Sequence, residues 1–236
     1  MFDLLSVGAG ATQLYRSALT TVSNNIANMN TDGYTRQVAS SEQNTPVLQG
    51  GGYIGSGAHL GSITRAFSEF NESNLRNSSS ELGTQDPMIK YADRIVDVMG
   101  SDTSSLSGAF DQFFSSASNL SSDPASGALR NLFLRDADGL AIRFRELDSQ
   151  LNNIEKETQS EINLKLTSLN ELGKQLHTIN QQLAKKTTLG EQPPNLLDER
   201  DGILRDMADI AKIHVKQNTS GSVEVRLDNE NGTSVV

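Results

Sequence analysis

The feature that most constrains the fold is a stretch of about sixty residues, Pro124 to Lys186, with no proline after its first position. Leu151, Ile154, Ile162, Leu166, Leu169, Leu172, Leu176, Ile179 and Leu183 recur along it at three- and four-residue spacing. That period predicts one side of an α-helix. Sixty helical residues would rise about 90 Å at 1.5 Å per residue, too long for the central helix of a compact domain. Gly127, Gly139 and Gly173 each cost about 1 kcal/mol relative to alanine, so a break or kink at one of them stays open. The stretch implies an elongated, mainly α bundle or a filament-type subunit.

The flanking segments follow from punctuation and period. Leu4, Val7, Ala11, Leu14 and Ala18 form an N-terminal stripe, widened by Leu5, Tyr15, Leu19, Val22 and Ile26. A helix of this length alone is marginal in water, and so broad an apolar face asks for a partner helix. Asn28 to Tyr34 ends it in turn formers, with Gly33 free to take positive φ. Six glycines between Gly50 and Gly61 then indicate an extended connection with short strands, the last near Leu60–Arg65. Phe67, Phe70, Leu75 and Leu82 predict a helix. Asp86-Pro87 predicts the start of another, faced by Ile89, Ala92, Ile95, Val96 and Met99. Gly100 and the Ser-rich stretch Ser101–Ser107 punctuate before a short helix marked by Leu106, Phe110, Phe113, Phe114 and Leu120. Asp123-Pro124 repeats the helix-start signal.

After Gln192-Pro193-Pro194, Asn195-Leu196-Leu197-Asp198 reads as an N-cap with an acidic third residue, and Asp201 and Arg205 as an i,i+4 pair. Alternation at Ile213, Val215 and Gln217, a Thr219-Ser220-Gly221 turn, and Val223, Val225 and Leu227 predict a β-hairpin. Four segments result: an N-terminal helix segment (1–35), a Gly-rich connection (36–66), a helical domain (67–212), and the start of a β domain (213–236) that looks cut short.

No constellation suggests chemistry. His59, His177 and His214 stand far apart in no metal-ligand spacing, and their plainer roles are solvated or packed side chains. Gly55-Ser56-Gly57-Ala58-His59-Leu60-Gly61 spaces its glycines as GxGxxxG and is followed by strand-like residues, so a glycine-rich loop outweighs a nucleotide site. Asp198, Glu199 and Asp201 read as helix-start and surface charges rather than catalytic carboxylates. No catalytic, cofactor-binding or metal residue is assigned, and the chain is expected to be no enzyme and to need no cofactor. With 20 basic and 29 acidic residues the net charge is −9, and no basic cluster suits nucleic acid or an acidic membrane surface. There is no cysteine, which removes disulfides and thiolate chemistry. The opening Met1-Phe2-Asp3-Leu4-Leu5 lacks the basic start of a secretory signal, and Arg16 is the first basic residue.

One segment is more specific. Asn24-Asn25-Ile26-Ala27-Asn28, followed by Thr31, Gly33 and Tyr34, resembles the N-terminal signature of flagellar rod, hook and hook-associated proteins. Rod and hook subunits of this family pass from the signature into a β-rich body. Here Tyr34-Thr35-Arg36-Gln37, Ile63-Thr64-Arg65-Ala66-Phe67, the long helix and Asn195-Leu196-Leu197-Asp198-Glu199-Arg200-Asp201 resemble the hook-associated branch instead. The resemblance implies a flagellin-like D0/D1 organisation in which Leu4, Val7, Ala11, Leu14, Ala18, Leu19 and Val22 pack along an inner tube. It implies that Asn24, Asn25, Ile26, Ala27, Asn28, Thr31, Gly33, Tyr34 and Arg36 serve assembly, Asn and Thr by hydrogen bonds across subunits. It also implies a structural role joining hook to filament in a ring of copies, with hook protein below and a second junction adaptor or the filament above. Export through the flagellar type III apparatus, with a chaperone engaging the C-terminal part, and an extracellular location complete the expectation. Members of the family continue into outer β material and a C-terminal helix, which this chain is expected to lack.

Overall fold

A computed structural model describes residues 4–100, 105–228 and 231–235, together with the backbone but not the side chain of Glu191. The expectations for Met1–Asp3, for Ser101–Ser104 and for Val236 fall outside the described residues. The element order is α1 (Leu4–Ala27), β1 (Gln37–Gln43), β2 (Val47–Gln49), β3 (Gly52–Ile54), β4 (Ala58–Arg65), α2 (Glu69–Met99), α3 (Leu106–Ser122), α4 (Gly127–Leu183), a 3-10 turn (Leu189–Glu191), α5 (Pro194–Ile210), β5 (Ile213–Gln217) and β6 (Val223–Leu227). The mainly helical class with short antiparallel strand pairs is as the sequence implies. No helix among the described residues is long and apolar enough to cross a membrane.

The chain divides into two compact units, one made of 1–81 and 169–236, the other of 82–168. These bounds differ from the four segments read in the sequence. The reason is packing: the last quarter of α4, α5 and the β5–β6 hairpin share one core. Leu169, Leu176, Ile179 and Leu183 of α4 meet Leu197, Leu204, Met207 and Ala208 of α5, closed over by Ile213, Val223 and Val225. Leu176, Leu183, Leu204, Met207 and Val225 are fully buried. Each buried Leu, Met or Val contributes roughly 1.5–3 kcal/mol relative to exposure, so this cluster holds the first unit together. Gln192 ties its edges, donating to Leu183 O (2.7 Å) and Ser220 O (2.6 Å), which satisfies carbonyls at the end of α4 and in the β5–β6 turn.

The second unit is thinner. Phe110 meets Phe144 edge-on at 5.8 Å, and Phe113 meets Phe133 at 5.3 Å. Among its described residues Ile154 is the one buried apolar side chain, while Met88, Val96, Leu134 and Leu164 stay exposed. With no Trp and 5% aromatics, three helices cannot enclose much volume.

Three helix boundaries differ from the sequence reading. α2 runs unbroken through Pro87, so Asp86-Pro87 does not begin a helix. The interior proline gives up one backbone bond, a cost the flanking 18- and 12-residue runs of helix outweigh. α4 starts at Gly127, where Ser126 Oγ accepts from Leu129 N (3.4 Å), while Asp123 instead ends α3. α4 then continues through Gly139 and Gly173. α5 begins with Pro193 as N-cap and Pro194 at the first helical position, two residues before the cap read at Asn195, because proline pre-sets the helical φ. The predicted β5–β6 hairpin forms, with Val215 opposite Val225 and Gly221 in the turn at φ +86°.

Candidate assembly surface

The signature residues build a turn. α1 ends at Ala27, and the chain reverses through Gly33 at φ +77°, the left-handed conformation expected of it. Asn25 holds the two limbs together. Its Nδ2 donates to Gln37 O (2.9 Å), and its Oδ1 accepts from Gln37 N (2.9 Å) and from the Tyr34 hydroxyl (2.8 Å). One carboxamide thus satisfies the first backbone pair of β1 and fixes where the strand leaves the helix. Asn28 Nδ2 donates to Asn24 O (2.9 Å) and Thr31 Oγ1 to Asn28 Oδ1 (3.2 Å). The polar groups of Asn25, Asn28 and Thr31 therefore find partners inside the chain. Ile26, Ala27 and Arg36 point to solvent, as does Asn24.

From this turn β1 and β4 run as a hairpin back along α1. Asn25 meets Gln37 at one end; at the other, a Cβ on Gly57 would lie 3.1 Å from Val7 Cγ1, and one on Gly10 3.7 Å from Ala58 O. The helical rise from residue 7 to 25 is about 27 Å and the seven residues of β1 span about 24 Å, so the two lengths match. Val7, Ala11, Leu14, Ala18 and Thr21 face this hairpin and are wholly or partly buried. The apolar stripe of α1 is thus two faces. About 100° round the helix, Leu4, Tyr15, Leu19, Val22 and Ile26 remain exposed. The partner helix expected from the sequence would have only the second face to cover, because a strand pair within the chain covers the first.

The turn and the foot of the hairpin are fastened to α5 by charges. Arg65, on β4, donates from Nη1 to Asp198 Oδ1 (2.6 Å) and sets Nη2 2.8 Å from Asp201 Oδ2. Asp198 Oδ2 also accepts from Thr35 N (3.1 Å). Arg200 donates from Nε to Asp201 Oδ1 (2.9 Å) and from Nη1 to Gly221 O (2.5 Å). Arg65, Arg200 and Asp201 are at most 6% exposed and Asp198 about 10%. Two arginines and two aspartates cancel, and the guanidinium of Arg65 lies 4.4 Å above the ring of Phe67. The hydroxyl of Tyr34 is pushed above its ordinary pKa, first by burial and then by the Asp198 carboxylate.

This network corrects the reading of Asp198 and Asp201 as helix-start and surface charges. Asp201 pairs with Arg65 and Arg200, and Arg205 reaches Glu72 on α2 instead (2.9 Å). The signal was present: Leu197, Asp201, Leu204 and Ala208 share one helical stripe, which puts an aspartate at a core position. Of the histidines, His59 meets Asn44 and His177 meets Gln181. Among the described residues no group of three or more His, Asp or Glu side chains is placed to hold a metal ion.

Comparison with known proteins agrees with this architecture. Residues 92–236 match the family model for the flagellar hook-associated protein FlgK helical domain, and residues 5–35 match that for flagella basal body rod protein. Flagellar hook-associated protein 1 of Salmonella typhimurium is 29% identical over 231 residues, covering 97% of this chain and 42% of that protein. The protein of the same name from Bacillus subtilis is 28% identical over 225 residues, covering 92% of this chain and 44% of its own length. The solved flagellar hook junction protein FlgK from Burkholderia pseudomallei superposes with a TM-score of 0.57 at 21% identity, over 70% of this chain and 28% of that one. The chain spans less than half the length of the curated relatives it matches. Because the helical-domain model matches well over half of its residues, this chain belongs to the flagellar hook-associated protein FlgK family.

Proposed function

We propose that the protein is a structural, non-enzymatic adaptor that joins the flagellar hook to the filament as a ring of axially packed copies. The observation that carries this reading is the match of 92–100% of the chain to proteins named flagellar hook-associated protein 1. The partners are further copies alongside, hook protein below, and a second junction adaptor or the filament above. The protein reaches this extracellular site through the flagellar export apparatus, with a chaperone engaging the C-terminal part of the whole protein.

The geometry supplies a mechanism. Asn25 and Gly33 set the angle between α1 and its hairpin, and Asp198 ties that angle to α5. The exposed row Leu4, Tyr15, Leu19, Val22 and Ile26 is therefore presented in a fixed orientation for axial packing. Long helices supply stiffness to the ring.

Gold labelling of the full-length protein in its native host tests the assignment. One narrow band of label where hook meets filament is expected. Label along the hook, or at the flagellar base as the rod-protein match of residues 5–35 would favour, overturns it.

A further inference from the structure

Glycine follows an aspartate or asparagine at four places: Asp32-Gly33, Asp138-Gly139, Asp201-Gly202 and Asn231-Gly232. With no Cβ on the following residue, its amide nitrogen can close on the preceding side-chain carbonyl carbon unhindered. The five-membered succinimide that results expels water from an acid or ammonia from a carboxamide. Whether it forms depends on how firmly the fold holds that nitrogen and how exposed the side chain is.

The four places differ in both respects. Gly139 lies inside α4 and Gly202 inside α5, where each N–H donates to the carbonyl four residues back and cannot swing toward its neighbour. The Asp201 carboxylate is also buried between Arg65 and Arg200. Asp32-Gly33 sits in the signature turn, closed by Tyr34 N donating to Thr31 O (3.2 Å). An ionised carboxylate there repels a nucleophile and offers no leaving group. Asn231 is exposed, outside helix and strand, and carries a neutral carboxamide. It lies where the chain turns back on β6: Leu227 N donates to Thr233 O (3.0 Å) and Val235 N to Val225 O (2.8 Å). Asn218, in the β5–β6 turn, is the instructive contrast, because Thr219 follows it with a branched Cβ that crowds the approach.

We infer that Asn231 is a site of spontaneous deamidation. Gly232 N attacks Asn231 Cγ, the bond from Cγ to the side-chain nitrogen breaks, and that nitrogen leaves as ammonia with the proton from Gly232 N. Water then opens the ring at either carbonyl, giving aspartate or isoaspartate. The sum is amide plus water to acid plus ammonia, with no oxidant or reductant. Each converted chain gains one negative charge. The isoaspartate form also inserts one main-chain carbon between the two bonds that hold residues 233–235 against β6. The inference is independent of the junction reading.

The test keeps the purified full-length protein folded in mildly alkaline buffer and maps its peptides by mass spectrometry over time, with enzymatic methylation as the label for isoaspartate. Progressive conversion of the Asn231 peptide into two acidic forms is expected, only one of them methylated. The peptides holding Asp138 and Asp201 should take no label unless the protein is first unfolded in urea. Gly232→Ala should slow the conversion several-fold; conversion at the parent rate would mean direct hydrolysis and overturn the succinimide route. Conversion of Asn231 in urea but not in the folded protein would overturn the site, since the fold would then protect it. Labelling of Asp138 or Asp201 in the folded protein as fast as Asn231 would overturn the part assigned to the helices.

Discussion

Asn25 carries more of the signature turn than any other side chain, through three bonds made by one carboxamide. Asn25→Ala leaves Gln37 N and O unpaired where β1 begins, and a loss of about 1–3 kcal/mol is expected in urea unfolding, with faster amide exchange at Gln37. Unchanged exchange at Gln37 would contradict the role. Gly33→Val forces a β-branched residue to φ +77° and should cost about 1–2 kcal/mol and prevent incorporation into the flagellum; normal motility would refute it. In the buried network, Asp201→Ala leaves both guanidinium groups short of a carboxylate, and a loss of about 3–5 kcal/mol is expected. The Asn24–Asn28 pattern is visible in the sequence, but its internal bonds are not, because Gln37 lies twelve residues away and only the turn brings it back. The Arg65 pairing is hidden likewise by a separation of 133 positions along the chain.

At the scale of elements, periodicity located every long helix, and local chemistry misplaced their ends. Pro87 and Pro124 give the same written signal after aspartate, yet one lies inside α2 and the other before α4. The difference lies beyond the dipeptide: the helix continues on both sides of Pro87, whereas Asp123 ends α3 and Ser126 accepts from Leu129 N at the start of the next helix. Gly139 sits in the interior of α4 with open space where a Cβ would be, so Gly139→Ala should raise stability by about 1 kcal/mol. A lower urea midpoint would contradict that. Within the second unit, the Tyr91 hydroxyl donates to Glu161 Oε2, joining α2 to α4. This bond holds the carboxyl of Glu161 below its ordinary 4.5 and pushes the phenol of Tyr91 above 10. A lowered carboxyl contributes stability above its unfolded pKa and loses it as pH falls through the folded value. A raised phenol contributes below 10 and loses it as pH rises through its folded value. Tyr91→Phe should therefore flatten stability at both ends of the pH range; a thermal melting profile identical to the parent from pH 3 to 11 would refute the pairing.

For the molecule as a whole, the hairpin that covers one face of α1 was legible as a glycine-rich connection with short strands, the last near Leu60–Arg65, but its pairing and its packing on α1 were not. Alternation in Gln37–Gln43 is weak, because Ser40, Ser41 and Glu42 interrupt it, and β1 takes its form from pairing with β4. What that hairpin changes is the meaning of the N-terminal stripe: the part left exposed, and on the proposed function the part available for assembly, is the narrower row from Leu4 to Ile26. A structural adaptor needs such a row held at a set angle, and the turn, the Arg65–Asp198 pair and the shared core of α4 and α5 supply it. The central claim, a junction between hook and filament, is tested most directly by electron microscopy of cells lacking the gene, with flagellin assayed in the medium. The account predicts completed hooks without filaments and flagellin lost to the medium. Cells with normal filaments, or cells lacking hooks, would contradict it.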